Sequence, residues 1–199
     1  MAGGRQLQFD KEKALEEAML VFWKKGFLGA SLSELTTVMG INKPSLYSAF
    51  GNKEDLFVRA TEHYLTKHAS PHVDCLNEEK LALNERVKNY LLSVVTMLCD
   101  SETPNGCFIA VAANELAGES LPEKATQTIV YAGNYAETYL TDFFAAEKVK
   151  GNLTTDISVE ELTLIIITLL HGLSSVARSG KSHQQLKSVI DIFVSKLGI

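Results

Sequence analysis

Apolar residues recur every three to four positions along most of the chain, and strictly alternating apolar and polar residues are scarce. A period of about 3.6 residues places apolar side chains on one face of an α-helix, so the pattern predicts an all-α fold. We expect about nine helices. Apart from two short helices within residues 31–52, they span about residues 10–25, 53–68, 78–99, 108–116, 122–148, 159–178 and 182–197.

Three helix starts fall within the segment 31–57. Ser31 and Glu34 form the pattern of a capping box, and Gly40 suits the left-handed residue that closes a helix. Asn42 then offers a second N-cap, with Pro44 in the first turn. Two helices joined by about three residues that include Gly predict a helix-turn-helix, whose second helix fits the major groove of DNA. The alternative is an ordinary αα-hairpin in a helical core.

The second helix of this segment presents polar side chains away from its apolar face. Leu46 and Phe50 are predicted to point inward, while the other side chains can reach phosphates or base edges. Lys53 adds a cation at the start of the next helix, where free N–H groups already favour a phosphate. The predicted DNA contacts are Ser31, Ser33, Lys43, Pro44, Ser45, Tyr47, Ser48 and Lys53.

The segment 9–57 resembles the DNA-binding domain of TetR-type transcriptional regulators. It departs from the family pattern at Thr36, where alanine is usual, and at Ser48 and Ala49, which are smaller or less polar than in many members. The resemblance implies a DNA-binding domain over residues 1–52 and an effector-binding and dimerisation domain over residues 53–199. It rests on Ala18, Phe22, Gly26, Phe27, Ser31, Leu35, Gly40, Ile41, Lys43, Pro44, Ser45, Leu46, Tyr47, Phe50, Asn52, Lys53, Glu54, Asp55 and Leu56.

The composition suits a soluble globular protein, with 46% hydrophobic and 22% charged residues in 199. No run approaches the roughly 18 apolar residues of a membrane-spanning helix, and the first residues lack the apolar stretch of a secretory signal. Three cysteines without zinc-type spacing favour a reducing compartment. We therefore expect a cytoplasmic protein with no membrane partner.

The net charge of −5 is unevenly distributed. Residues 1–68 hold nine Lys or Arg against eight Asp or Glu, whereas residues 69–199 hold ten against sixteen. Salt screens charges beyond about 10 Å, so the acidic second part does not prevent a local positive patch that binds DNA. The candidates for that patch are Arg5, Lys11, Lys13, Lys24, Lys25, Lys43 and Lys53.

The last two predicted helices carry more apolar residues than a solvated surface needs. The helix over residues 159–178 is apolar nearly all round, and the helix over 182–197 has one clear apolar stripe. Such helices are buried centrally or shared with a partner. A buried hairpin within a monomer and a homodimer interface both fit, and we favour the homodimer. Its predicted contacts are Leu162, Ile166, Leu169, Leu173, Val189 and Phe193.

Aromatic residues recur at every fourth position from 131 to 143. Such a stripe more often packs into a core, but buried tyrosine hydroxyls need partners, which leaves a partly wet cavity as the alternative. The family resemblance implies an effector pocket in this second domain. With few cations among the candidates, we expect a hydrophobic or aromatic small molecule rather than a sugar phosphate. The predicted effector contacts are Tyr64, Met97, Cys107, Tyr131, Tyr135, Tyr139 and His171.

Cys107 is a candidate for reaction with an effector. It follows Asn105 and Gly106 at a predicted helix N-terminus, where the helix field favours the thiolate. The stretch also resembles family members that carry Gly-Cys here, some of which sense electrophiles or oxidants through it. The alternative is a small buried residue in a close contact.

The sequence contains no constellation of catalytic residues. It lacks a His-Glu-x-x-His pair, a Gly-rich phosphate loop and a Gly-x-Ser-x-Gly turn. We expect no enzyme, no metal and no cofactor. The family resemblance implies a ligand-responsive repressor that binds a palindromic, double-stranded DNA operator as a homodimer. The alternative is a DNA-binding regulator or architectural protein without a small-molecule effector.

Overall fold

The computed structural model describes residues 9–118 and 120–199, so Arg5 lies outside the described residues. The described part of the chain contains nine α-helices and no strand, which confirms the all-α prediction. A π-helical segment and a 3-10 helix, Leu65–Ala69 and Ser70–Asn77, follow α4, and a 3-10 turn, Asn114–Ala117, follows α6. The α-helices are α1 Lys11–Gly29, α2 Leu32–Val38, α3 Lys43–Phe50, α4 Lys53–Tyr64, α5 Leu83–Leu98, α6 Phe108–Ala113, α7 Glu123–Val149, α8 Val159–Arg178 and α9 His183–Leu197.

Short polar side chains cap most of the helix starts. Asn42 accepts the Ser45 N–H at 2.9 Å, and Asn52 with Asp55 forms a full capping box. The capping box predicted at Ser31 is only half formed. Ser31 accepts the Glu34 N–H at 3.1 Å, but the Glu34 carboxylate bonds to the Lys25 ammonium at 2.6 Å instead of reaching back.

The connection after α4 differs from the predicted one. The helix expected over residues 53–68 changes to a π-helical segment after Tyr64, and the helix expected from residue 78 begins at Leu83. Pro71 lies in the first turn of the 3-10 helix between them, where its missing N–H and fixed φ are tolerated. This segment leads the chain from the end of α4 to the start of α5.

Two clusters of buried apolar residues form the core. One joins α1–α4 to α6 and the first half of α7, around the aromatic residues Phe22, Trp23, Phe57 and Phe108. The other joins α5, α8, α9 and the second half of α7, and is mainly aliphatic. The helix-turn-helix therefore shares a core with later helices. The domain boundary between residues 52 and 53 stays a prediction.

A buried ion pair fastens α5 to α7. The Arg86 guanidinium donates to both carboxylate oxygens of Glu147, at 2.9 and 3.2 Å, and to the Leu76 carbonyl at 2.6 Å. Burial acts to raise the pKa of Glu147, but hydrogen bonds from Arg86, Asn152 and Lys150 outweigh it and hold the pKa at about 2. Because the pair is bidentate and satisfied, removing one partner would leave a buried charge.

Within the described residues, α8 is long and apolar enough to cross a membrane by length and composition. Its inward side chains Leu162, Ile166, Leu173 and Ala177 belong to the second core cluster. The helix is therefore a core helix whose other face remains exposed.

Candidate DNA-binding surface and ligand cavity

The helix-turn-helix has the geometry that its sequence predicts. Gly40, with φ 64°, lies in the turn between α2 and α3. Leu46, Ala49 and Phe50 of α3 are buried against α1 and α4. The opposite face of α3 presents exposed side chains to solvent. Of the predicted DNA contacts, Ser31, Ser33, Lys43, Pro44, Tyr47 and Ser48 are exposed, and Ser45 and Lys53 are half-buried.

Thr36 shows why a hydroxyl is tolerated where the family usually has alanine. The side chain is buried, and its Oγ1 donates to the carbonyls of Leu32 and Ser33, at 2.9 and 3.0 Å. Because the hydroxyl is satisfied by the preceding turn of its own helix, α2 packs without an unpaired polar group.

Lys53 is held against the protein at the start of α4. Its Nζ lies 4.4 Å from the centroid of the Phe27 ring, an arrangement that attracts a cation. Partial burial lowers the pKa of Lys53, while the nearby Glu115 carboxylate raises it. The predicted phosphate contact is therefore a partly desolvated cation whose position depends on α1 and on the segment after α6.

A cavity of about 100 Å³ lies between the end of α4 and helices α5–α8. Six of the seven predicted effector residues line it, and its lining contains no Lys or Arg among the described residues. The six are Tyr64, Met97, Cys107, Tyr135, Tyr139 and His171.

Tyr131 is the exception, because its side chain is 64% exposed and does not line the cavity. Four residues turn an α-helix by about 400°, so an every-fourth stripe drifts by about 40° at each step. This drift carries Tyr131 into solvent at one end and Phe143 into the core at the other. The structure therefore places Tyr131 outside the cavity that the other predicted effector residues line.

Cys107 is the N-cap residue of α6 and is half-buried in the cavity wall. Its Sγ lies 3.2 Å from the Tyr64 hydroxyl, and its N–H donates to Ser174 Oγ at 2.8 Å. Burial raises the pKa of Tyr64 well above its ordinary value, so the phenol keeps its proton near neutral pH. Cys107 thus contacts the last residue of α4 through its thiol and α8 through its backbone N–H.

The prediction missed two polar residues in the cavity wall. Tyr90 is buried on α5, and burial raises its pKa. His72 places Nδ1 2.8 Å from Ser93 Oγ, while its Nε2 has no hydrogen-bond partner among the described residues. Burial lowers the pKa of His72, which favours the neutral ring. His72 follows Pro71, outside any predicted helix, so no helical period was available to predict where its side chain points.

The predicted dimer residues divide into two groups. Leu162, Ile166 and Leu173 are buried within the protomer, so the structure places them in the core and not on a surface open to a partner. Helix α8 is apolar on both faces, and the sequence pattern alone did not separate its core stripe from its outer stripe. Leu169 and Phe193 are half-buried, and Val189 is 46% exposed. The larger exposed apolar residues of these two helices are Leu164 (61%), Val176 (39%), Val189 (46%) and Ile192 (67%).

A helix-turn-helix with an exposed second helix, joined to a helical domain with its own cavity, defines a DNA-binding regulator. Residues 14–60 match the sequence model of the family described as "Bacterial regulatory proteins, tetR family". The HTH-type transcriptional repressor BdcR of Escherichia coli is 30% identical over 184 residues, covering 92% of this chain and 86% of BdcR. The chain belongs to the TetR family of transcriptional regulators. Because this family is not enzymatic, the prediction that the chain is not an enzyme is confirmed.

Other relatives are similar over nearly the whole chain. The HTH-type transcriptional repressor ComR of Escherichia coli is 27% identical, covering 94% of this chain and 88% of ComR. The structure of a cysteine mutant of the TetR family transcriptional regulator CifR, complexed with 26-bp operator DNA, superposes with a TM-score of 0.88. That chain is 34% identical, and the match covers 98% of this chain and 99% of CifR.

Proposed function

We propose that the chain is a homodimeric repressor that binds a palindromic operator through α3 and is released by a small hydrophobic or reactive effector. The observation that carries this proposal is the position of α4. Its first residue, Lys53, lies beside the helix-turn-helix, and its last residue, Tyr64, lies in the cavity wall. A molecule that moves Tyr64 therefore acts on the helix that begins at the predicted phosphate contact Lys53 and packs beside the helix-turn-helix. The protein acts where the DNA is, in the cytoplasm.

Operator binding is supported by the exposed face of α3 and by the relatives. ComR and BdcR are named as repressors, and a CifR mutant was solved on operator DNA. A two-fold dimer presents two α3 helices, which reach successive major grooves at about 34–36 Å. An effector that favours a different separation shifts the population away from the DNA-bound form.

The dimer surface that we propose combines the exposed apolar side chains of α8 and α9, Leu164, Val176, Val189 and Ile192. A stable four-helix contact of this kind would bury at least about 1,200 Å² in total. Ile192→Asp should give monomers, because it places a charge on this surface without touching the core. Val149→Asp, which adds the same charge at an exposed apolar residue at the end of α7, is the matched control. A wild-type sedimentation mass near 21.8 kDa would contradict the dimer.

The size and lining of the cavity favour a small effector. An apolar cavity of about 150 Å³ is enough for benzene, whereas drug-sized ligands occupy about 300–1,000 Å³. The cavity of about 100 Å³ is smaller than this and has no cation in its lining, so a compact apolar molecule such as benzene or toluene must displace the wall to enter, and a reactive molecule would instead add to Cys107.

The alternative is a regulator without an effector, and one experiment separates the two. A duplex is selected from a random pool with the wild-type protein, and its dissociation is then measured with toluene as a compact apolar probe. We expect toluene to weaken operator binding of the wild type. Gly133→Leu, which places bulk in the cavity wall, should abolish the response to toluene. If no apolar or reactive probe changes binding to the selected operator, the alternative is favoured.

The selected operator also tests the docking. Tyr47→Ala should weaken operator binding, and Lys53→Ala should weaken binding to all duplexes and lower the salt slope by about one unit. If both variants bind the operator as tightly as the wild type, docking through α3 is contradicted.

A further inference from the structure

Helix α1 is interrupted at Gly26, which has φ 74° and ψ −178°. A break of this kind leaves carbonyls without partners at the end of one helical segment and N–H groups without partners at the start of the next. Both sets of groups find their partners in parts of the chain far from α1. The position of α1, and with it that of the DNA-binding helices, therefore depends at this break on residues outside α1.

The N–H groups are bound by Glu115, in the 3-10 turn that follows α6. Its Oε2 accepts the Phe27 N–H at 2.8 Å, and its Oε1 accepts the Leu28 N–H at 2.9 Å. A Cβ at Gly26 would come within 2.7 Å of the Glu115 Cδ, so the carboxylate occupies the space that a side chain would fill.

The carbonyls are bound by Arg178, the last residue of α8. Its guanidinium donates to the Lys24 carbonyl at 2.7 Å and, more weakly, to the Trp23 carbonyl at 3.5 Å. The Trp23 indole N–H donates to the Gly106 carbonyl at 2.9 Å in a buried contact. The cation thus lies at the negative end of the first segment of α1, where it is stabilising.

Both holding residues continue elements that line the cavity. Glu115 follows α6, whose start carries the wall residues Cys107 and Ile109. Arg178 ends α8, which carries the wall residue Leu170. A movement of α6 or α8 at the cavity therefore moves Glu115 or Arg178, which hold α1. This link between the cavity and α1 does not involve α4.

We propose that Glu115 and Arg178 are positioning residues that set the orientation of the DNA-binding helices through the break in α1. The inference rests on the operator binding proposed above. It assigns no contact with DNA to either residue. Their effect arises because a dimer binds two half-sites only when both α3 helices have the required orientation.

Electrostatics alone predicts that removing the charge of Glu115 strengthens operator binding, which is the opposite of the loss expected from a positioning role. The carboxylate lies near Lys53, so removing its charge makes the surroundings of that cation more positive. Greater positive charge strengthens binding to phosphates. A loss of operator binding on neutralising Glu115 is therefore the signature of positioning.

The test uses Glu115→Gln in the full chain, with the operator selected by the wild type. Glutamine keeps the size but offers one oxygen and presents an NH₂ group to the second N–H. We expect roughly tenfold weaker binding to the operator with two half-sites, within the range of allosteric couplings, and a much smaller loss on a duplex with one half-site. Arg178→Ala should behave in the same way, and Arg178→Lys should retain part of the affinity. Glu137→Gln, an exposed site on α7, removes the same charge and should change neither.

The outcomes separate this inference from the proposed function. If Glu115→Gln and Arg178→Ala bind the operator as tightly as the wild type, or more tightly, the positioning role is overturned. Equal losses on both duplexes would also overturn it, because they would indicate general destabilisation. A wild-type protein that selects no operator would instead contradict the proposed function.

Discussion

The helix-turn-helix and the cavity wall are held together in different ways. The helix starts of the first depend on contacts three residues apart, from Ser31 to the Glu34 N–H and from Asn42 to the Ser45 N–H. The second depends on contacts between distant segments, such as Tyr64 with Cys107 and Arg86 with Glu147. A locally capped unit keeps its shape when its surroundings move. A wall built from distant segments changes shape when any one of them moves, which is what an effector site requires.

The largest expected effect comes from the long-range ion pair that joins the two cavity walls α5 and α7. Arg86→Met leaves the Glu147 carboxylate buried without its main partner, so we expect a loss of about 3–5 kcal/mol in the free energy of unfolding. Denaturant unfolding measures it.

The control is Lys88→Met, on the same helix, which removes a surface ion pair with Asp191 and should cost about 1 kcal/mol or less. If the two variants lose equal stability, the contribution assigned to the buried pair is wrong.

Acid should weaken the same region by a smaller amount. The pKa of Glu147 lies below its ordinary value, at about 2 in the folded protein. Its contribution to stability is therefore present above the unfolded pKa of about 4.3 and is lost as the pH falls toward 2. The Ser31 and Asn42 caps do not titrate.

When the pH is lowered from 5 to 3, the opening of α5 and α7 measured by hydrogen exchange should therefore increase more than the opening of α3, after correction for intrinsic rates. Earlier opening of α3 would contradict the contrast between the two regions.

A local helix cap should contribute less to the free energy of unfolding than the buried ion pair between Arg86 and Glu147. Asn42→Ala removes the side-chain acceptor of the Ser45 N–H and should cost about 1 kcal/mol, measured by thermal unfolding. Asn42→Asp keeps an acceptor and is the matched control. If the alanine variant loses as much stability as Arg86→Met, the helix-turn-helix depends on more than local contacts.

The smallest expected effect is a difference in reaction rate among the cysteines. Burial raises the pKa of Cys99, whereas the Cys107 Sγ lies beside the Tyr64 hydroxyl, which can donate to a thiolate. A brief iodoacetamide pulse on the native protein, analysed by mass spectrometry, should label Cys107 faster than Cys99. Slower labelling of Cys107 than of both Cys75 and Cys99 would assign it a packing role only.

The same contrast explains what the sequence could predict. Caps and turns at Ser31, Gly40 and Asn42 are local signals, and the helices they predict are present. The exposure of Tyr131 follows from the drift of an every-fourth stripe around α7. The burial of Leu162 depends on how α8 is rotated against its neighbours, which a period of apolar residues does not fix when both faces of the helix are apolar. Glu115 gave no signal at all, because its partners lie almost ninety residues earlier in the chain.

If the state of the cavity controls operator binding, alkylation of the cavity wall should change the affinity for the operator. Operator affinity is measured before and after reaction with N-ethylmaleimide, with mass spectrometry to identify the modified cysteines. We expect at least about tenfold weaker binding for the wild type modified at Cys107 and unchanged binding for Cys107→Ser treated in the same way. Unchanged affinity of wild-type protein fully modified at Cys107 would contradict it.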